Sequence, residues 1–151
     1  MPVFKRYGHA AEIFANEIMS SPVLTVGVTS SIRDAADEMW TNKIGSLVVV
    51  DREGKIAGII TERDIIFAYA KNLSQREEEG KANVESIMSR NAITAAPEEN
   101  VESVVEKMRS HNIRHIPIVN KEGKPVGIIS IRNILDTAIG LLGLFRPPDL
   151  G

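Results

Sequence analysis

The chain has 151 residues, no cysteine and a formal charge of −2, with 43% hydrophobic and 25% charged residues. A globule of this length buries about 68–70% of its extended-chain surface and needs no covalent staples, and the missing cysteine excludes disulfides, thiolate metal sites and cysteine nucleophiles together. The near-neutral charge gives no electrostatic footprint for nucleic acid or anionic lipid. No apolar run reaches the roughly 20 residues of a membrane span, nor does the start carry a signal-peptide pattern. A cytoplasmic protein is expected.

Residues 1–16 form an N-terminal segment whose Val3, Phe4, Tyr7 and Ile13 can pack on the outside of a domain. A first unit then spans residues 17–70. It opens on a short strand. Ile32, Ala35, Ala36, Met39 and Trp40 follow at i, i+3, i+4, i+7 and i+8, which makes one face of a helix. Leu47-Val48-Val49-Val50 is a β-branched strand for a buried sheet, and Asp51-Arg52-Glu53-Gly54 turns it back into a second strand over residues 56–60. A second helix follows, with Ile65, Ile66, Tyr69 and Ala70 expected to point inward. Residues 71–83 are polar, with three consecutive glutamates, and read as the end of a helix plus the linker between the copies, their charges forming a solvated face. A second unit spans 84–140 and a tail 141–151. Pro117 and Pro125 in its strands each remove a ladder donor, so they should face an edge or a bulge.

The second unit repeats the first. Residues 18–66 align on 87–135 at a constant offset of 69 without a gap, and 15 of the 49 pairs are identical. Ile18-Met19-Ser20 matches Ile87-Met88-Ser89, Glu53-Gly54-Lys55 matches Glu122-Gly123-Lys124, and Gly58-Ile59-Ile60 matches Gly127-Ile128-Ile129. Two copies are too few for a solenoid, so a face-to-face pair is the natural way to bury both apolar faces. The fold class is α+β, a β-α-β-β-α unit present twice.

Chemistry concentrates where the last strand of each unit runs into its helix. Thr61-Glu62-Arg63-Asp64 and Ser130-Ile131-Arg132-Asn133 each place a hydroxyl at the junction and a polar side chain three residues on. The first amides of a helix lack internal partners and suit a phosphate, and an acidic residue one turn along can accept from ribose hydroxyls. Gly58 lets another group approach the backbone closely. The same pattern is also a capping box that needs no ligand; Ser31-x-x-Asp34, which opens the preceding helix, is explained by capping alone. Arg114 and His115 interrupt the apolar start of a strand where the first copy has Gly45 and Ser46, and a cationic pair there suits an anion. A surface arginine beside a satisfied histidine is the alternative. His111 and His115 have metal-compatible spacing but no third ligand. No nucleotide-loop or nucleophile-elbow motif occurs, and an enzyme is the poorest of the available functions.

Together these residues resemble the CBS domain in its tandem arrangement, the Bateman module. The carriers are Ile18-Met19-Ser20, residues 43–51, the Gly-Lys hairpin and Gly58 to Asp64, with residues 84–89, 113–119 and 127–133 in the second copy. The resemblance implies a pseudo-two-fold pair with two clefts, in which family members bind AMP, ADP or ATP, and in some cases S-adenosylmethionine or NAD. By position, Asp64 would hold the ribose, Thr61 the phosphate side, and Arg114 and His115 the phosphates from across the pair. Thr25-Val26 and Thr94-Ala95 would line the adenine pockets. Ser130 and Asn133 would form the second cleft, expected to be weaker or empty because Asn133 replaces an aspartate. The implied protein is a non-enzymatic, energy-sensing regulatory module that homodimerises, with Trp40 and the apolar C-terminal helix as contacts, and signals to an effector protein. A ligand-independent interaction or dimerisation scaffold is the alternative.

Overall fold

The structure, a computed structural model, describes residues 12–72, 76 and 82–143. Val3, Phe4 and Tyr7, most of the linker and the end of the tail lie outside the described residues. The order is α1 (Ala15–Ile18), β1 (Thr25–Gly27), α2 (Ile32–Asn42), β2 (Ser46–Val50), β3 (Ile56–Thr61), α3 (Glu62–Ala70), α4 (Val84–Ile87), α5 (Val101–His111), β4 (His115–Val119), β5 (Pro125–Ser130) and α6 (Ile131–Leu141). The α+β repeat is therefore present.

Local chemistry explains the boundaries. Helix α2 starts where the Asp34 N–H donates to Ser31 Oγ at 2.9 Å, and α5 where the Ser103 N–H donates to Asn100 Oδ1 at the same distance. The hairpins turn at Gly54 (φ 79°) and Gly123 (φ 81°), a backbone region that a side chain would strain. Ile32, Ala35 and Met39 are buried from the α2 stripe, and Val104 and Met108 from its counterpart in α5. Trp40 is not part of that core: it is 87% exposed. Helix α3 also departs from expectation. Ala68 is its buried residue and Ile65 is half-buried, whereas Ile66 is 67% exposed, Tyr69 81%, and Ala70 is also exposed. The helix turns its 65/68 edge to the sheet, which leaves an outer apolar face that the sequence pattern alone does not distinguish from a core face.

In the first unit β1 pairs parallel with β2, and β2 antiparallel with β3. In the second, β4 and β5 pair antiparallel, but the counterpart of β1 is reduced to a parallel bridge from Ala95 to Ile118. Pro117 accounts for this. At the equivalent place the Val48 N–H donates to the Leu24 carbonyl, and proline has no N–H to give. What remains is Ala95 N–H to Pro117 O and Val119 N–H to Ala95 O. Pro125 pairs beside the register shift between Ile118 and Val119, as expected of a proline in a ladder.

The units exchange their leading segments. Ser20, from the start of the first repeat, pairs with Ile128 on β5, and Ser89, from the start of the second, pairs with Ile59 on β3. Ala15, Ile18 and Met19 thus join the core built from α5, β4 and β5, while Val84, Ile87 and Met88 join that of α2, β2 and β3. The hairpins also meet, since the Ile56 N–H donates to the Gly123 carbonyl. Reciprocal contacts of this kind lock the two units into one pseudo-symmetric body.

Candidate functional site

Register fixes the corner of each unit. Ser46 lies opposite Thr61, and His115 opposite Ser130, so each strand start sits beside the hydroxyl that ends the neighbouring strand. The Glu62 N–H then donates to the Gly45 carbonyl at 3.0 Å, and the Ile131 N–H to the Arg114 carbonyl at 2.9 Å. Those bonds hold the first amide of each helix against the strand start.

The first junction is a carboxylate cap. The Thr61 N–H and hydroxyl both donate to Asp64 Oδ2, at 2.8 and 3.1 Å. This differs from Ser31, whose hydroxyl accepts rather than donates. Both bonds use a single carboxylate oxygen, so Oδ1 stands outside the capping box. The second junction is built alike, with the Ser130 N–H and hydroxyl on Asn133 Oδ1 at 2.8 and 2.9 Å. There, however, Asn133 Nδ2 also donates to Ser20 Oγ at 3.2 Å, a tie to the exchanged segment. Both polar ends of Asn133 therefore have structural partners, whereas among the described residues Asp64 Oδ1 accepts no hydrogen bond.

Gly58 does admit a close neighbour, and that neighbour is the chain itself. A Cβ at Gly58 would stand 2.5 Å from the Ser89 carbonyl oxygen and 2.9 Å from Met88 Sδ. Gly127 faces Met19 in the same way. These glycines serve the exchange of segments.

His115 reaches the first unit. Its Nε2 lies 3.4 Å from where a Cβ on Gly45 would be, and the Glu62 carboxyl carbon lies 3.5 Å from that same point. Burial pushes the His115 pKa below its ordinary 6.5; the Glu62 carboxylate opposes that shift and Arg114 adds to it. The imidazole therefore favours its neutral form near neutral pH. Arg114 is exposed and lines a groove between α5 and α6 with Arg109, Asn112 and Ile134. The structure thus brings His115 to the Thr61 corner and turns Arg114 towards that groove.

Thr25 is exposed and Val26 buried on β1, while Thr94 is half-buried and Ala95 buried beside β4. Sequence reasoning missed the group that holds the Thr94 stretch. Lys107 Nζ donates to the Thr94 carbonyl and to Glu99 Oε1, both at 2.9 Å, and Ser103 Oγ donates to Glu99 Oε2 at 3.0 Å. The first copy has Glu38 and Ser30 at the equivalent positions, and that double substitution was the available signal. Among the described residues no group of three or more His, Asp or Glu side chains could hold a metal, and no helix is long and apolar enough to cross a membrane.

Comparison with known proteins agrees with this architecture. The family model described as CBS domain matches residues 15–71 and 84–140. L-aspartate semialdehyde sulfurtransferase of Methanocaldococcus jannaschii is 38% identical over 118 residues, which are 78% of this chain but 22% of that protein. An uncharacterized 17.7 kDa protein of Acidianus ambivalens is 34% identical over 79% of this chain and 69% of its own length. The chain therefore spans about a fifth of the enzyme it matches. Among solved structures, the CBS domain pair of protein MJ0100, in complex with 5-methylthioadenosine and S-adenosyl-L-methionine, is 35% identical with a TM-score of 0.78, over 86% of this chain and 98% of that one. CBS domain protein PAE2072 from Pyrobaculum aerophilum, complexed with AMP, is 33% identical with a TM-score of 0.76, over 87% and 98%. With two matched copies, exchanged leading segments and the paired strand-to-helix junctions, this chain belongs to the CBS domain family as a tandem pair.

Proposed function

We propose that the chain is a non-enzymatic regulatory module that binds an adenosine-containing ligand between its two units, homodimerises, and passes its ligand state to a partner protein. One observation carries the reading: Asp64 anchors its helix through Oδ2, Oδ1 accepts no hydrogen bond among the described residues, and His115 of the other unit approaches the strand start at Gly45 beside that helix. A ribose diol needs an acceptor of that kind, and the partial positive charge at the start of α3 suits a phosphate. Support also comes from the AMP complex of PAE2072 and the S-adenosylmethionine and methylthioadenosine complex of MJ0100. AMP, ADP and ATP are the leading ligands, with S-adenosylmethionine and NAD behind them. Thr25 and Val26 on one side, and Thr94 on the other, would face adenine.

The alternative is a ligand-independent scaffold, and the observation in its favour is that Thr61 and Asp64 complete a capping box with each other. A thermal-shift panel of AMP, ADP, ATP, S-adenosylmethionine and NAD separates the two. A ligand at 100 times its dissociation constant adds roughly 2.7 kcal/mol, and no shift with any of the five at millimolar concentration leaves the scaffold.

A further inference from the structure

Two depressions among the described residues lie on the outer helical faces. One, of about 720 Å³, runs between α2 and α3 and is lined by Met39, Trp40, Lys43, Glu62 and Ile65 among others. The other, of about 310 Å³, runs between α5 and α6 and includes Met108, Arg109, Arg114, Ile131 and Ile134. The offset of 69 maps one lining onto the other, Met39 on Met108 and Ile65 on Ile134, so they are the same groove built twice. Their apolar floors match and their polar rims do not. Trp40 becomes Arg109, Glu62 becomes Ile131, and Gly45 becomes Arg114. The first groove carries one cation and one anion, Lys43 and Glu62. The second carries two arginines and no acid in its lining.

We infer that a second copy of this chain covers these faces in antiparallel orientation, each Trp40 groove against the other copy's arginine groove. The inference rests on the homodimer of the reading above and adds its orientation. Both orientations cover the same faces, two of each kind, so apolar burial does not choose between them. Charge does. A parallel pair sets four guanidinium groups of two arginine grooves against each other in a partly desolvated interface, where like charges repel most. An antiparallel pair faces each arginine groove with a rim of no net charge. It also offers the Trp40 ring as a cation–π surface to Arg109 and the Glu62 carboxylate to the arginine rim. Arg109 pairs with Glu106 through Nε at 3.5 Å in an exposed contact, which an aromatic ring stacked on the guanidinium plane leaves intact. Steric size points the same way: the exposed Tyr69 on α3 has the small Ala138 as its counterpart on α6.

The absence of native cysteine makes the test clean. Thr41, on the rim of the first groove, and Ser110, its counterpart on α5, are both exposed and are each replaced singly by cysteine and spin-labelled. Light scattering first establishes the mass in solution. In dimers, pulsed dipolar EPR should find the 41-to-110 distance between copies, in mixed dimers of the two variants, to be shorter than the 41-to-41 and 110-to-110 distances. Shorter self-distances overturn the orientation while leaving the dimer. A monomeric mass at every concentration overturns the dimer itself, as it would if residues 1–11 covered the groove instead. Arg109→Glu supplies a second arm, because it should weaken an antiparallel dimer at least tenfold by removing the ring's cation and placing like charge near Glu62. An unchanged dissociation constant for that variant also overturns the orientation.

Discussion

The two strand-to-helix junctions share a backbone and differ in what their side chains have left to give. At Thr61–Asp64 the cap uses one carboxylate oxygen, and at Ser130–Asn133 the amide is divided between the cap and Ser20. A repeated motif can thus be a structural tie in one copy and a tie with spare bonding capacity in the other. The same divergence recurs behind the strands, where β1 is a regular parallel strand and its counterpart, deprived of a donor at Pro117, is held by the Lys107 ammonium instead. Identity between the copies marks what builds the pair, and difference marks where each copy can be specialised.

The sharpest way to break this symmetry is at the glycines beneath the exchanged segments. Gly58→Ala should be the most destabilising substitution, because its methyl group meets the Ser89 carbonyl oxygen, and backbone cannot swing aside. Overpacking of this kind costs about 1–3 kcal/mol. Gly127→Ala should cost less, since its nearest obstacle is the Met19 side chain, which can change rotamer. Urea denaturation of the two variants checks the order, and equal costs would show that the segments yield together.

Asp64→Asn converts the first junction into the chemistry of the second. An amide oxygen can accept both Thr61 bonds as Asn133 does for Ser130, so the unliganded stability should hold nearly constant. The gain from an adenine nucleotide, roughly 2.7 kcal/mol at 100 times its dissociation constant, should disappear. Asp64→Ala should lose that gain and in addition about 1 kcal/mol of capping. A variant with asparagine that keeps the full ligand shift would move the ribose contact elsewhere.

Much of this comparison was legible in the residues, and the illegible parts have identifiable causes. The constant offset, the α2 and α5 stripes apart from Trp40, and the Gly54 and Gly123 hairpins depend on local periodicity and turn chemistry, and they appear where expected. The exchange of segments does not follow from pattern, because Ile18-Met19-Ser20 and Ile87-Met88-Ser89 are identical and satisfy either unit equally. Ile66 and Tyr69 read as core because an apolar face awaiting a partner has the same period as one turned to a sheet. The difference between Asp64 and Asn133 was visible as letters; that Asn133 is engaged by Ser20, 113 residues away, was not.

Lys107→Met tests whether the second unit needs its substitute for a ladder. The substitution keeps the apolar stem and removes one charge-assisted bond to the Thr94 carbonyl and one to Glu99. Loss of such bonds costs about 1.5 kcal/mol, and amide exchange should accelerate around Ala95 while remaining slow at Val26 in the first unit. Uniform exchange in both units would mean that the bridge from Ala95 to Ile118 holds without the lysine.

The smallest effect separates Ser46 from its counterpart His115. Burial lowers the pKa of His115 in the folded chain below the ordinary 6.5 of the unfolded one, so in between the unfolded state binds more protons. Stability is then full above about pH 6.5 and declines as the pH falls towards the folded value. His115→Gln should flatten that portion of the profile, and Glu62→Gln, by removing the carboxylate that raises the pKa, should extend the decline to lower pH. An anionic ligand reaching this corner would reverse the balance by favouring imidazolium. Its binding would draw a proton from the buffer, and the calorimetric heat would change with the buffer's ionisation enthalpy. The same heat in every buffer would place the ligand's anionic end away from His115 and leave the corner a purely structural contact between the units.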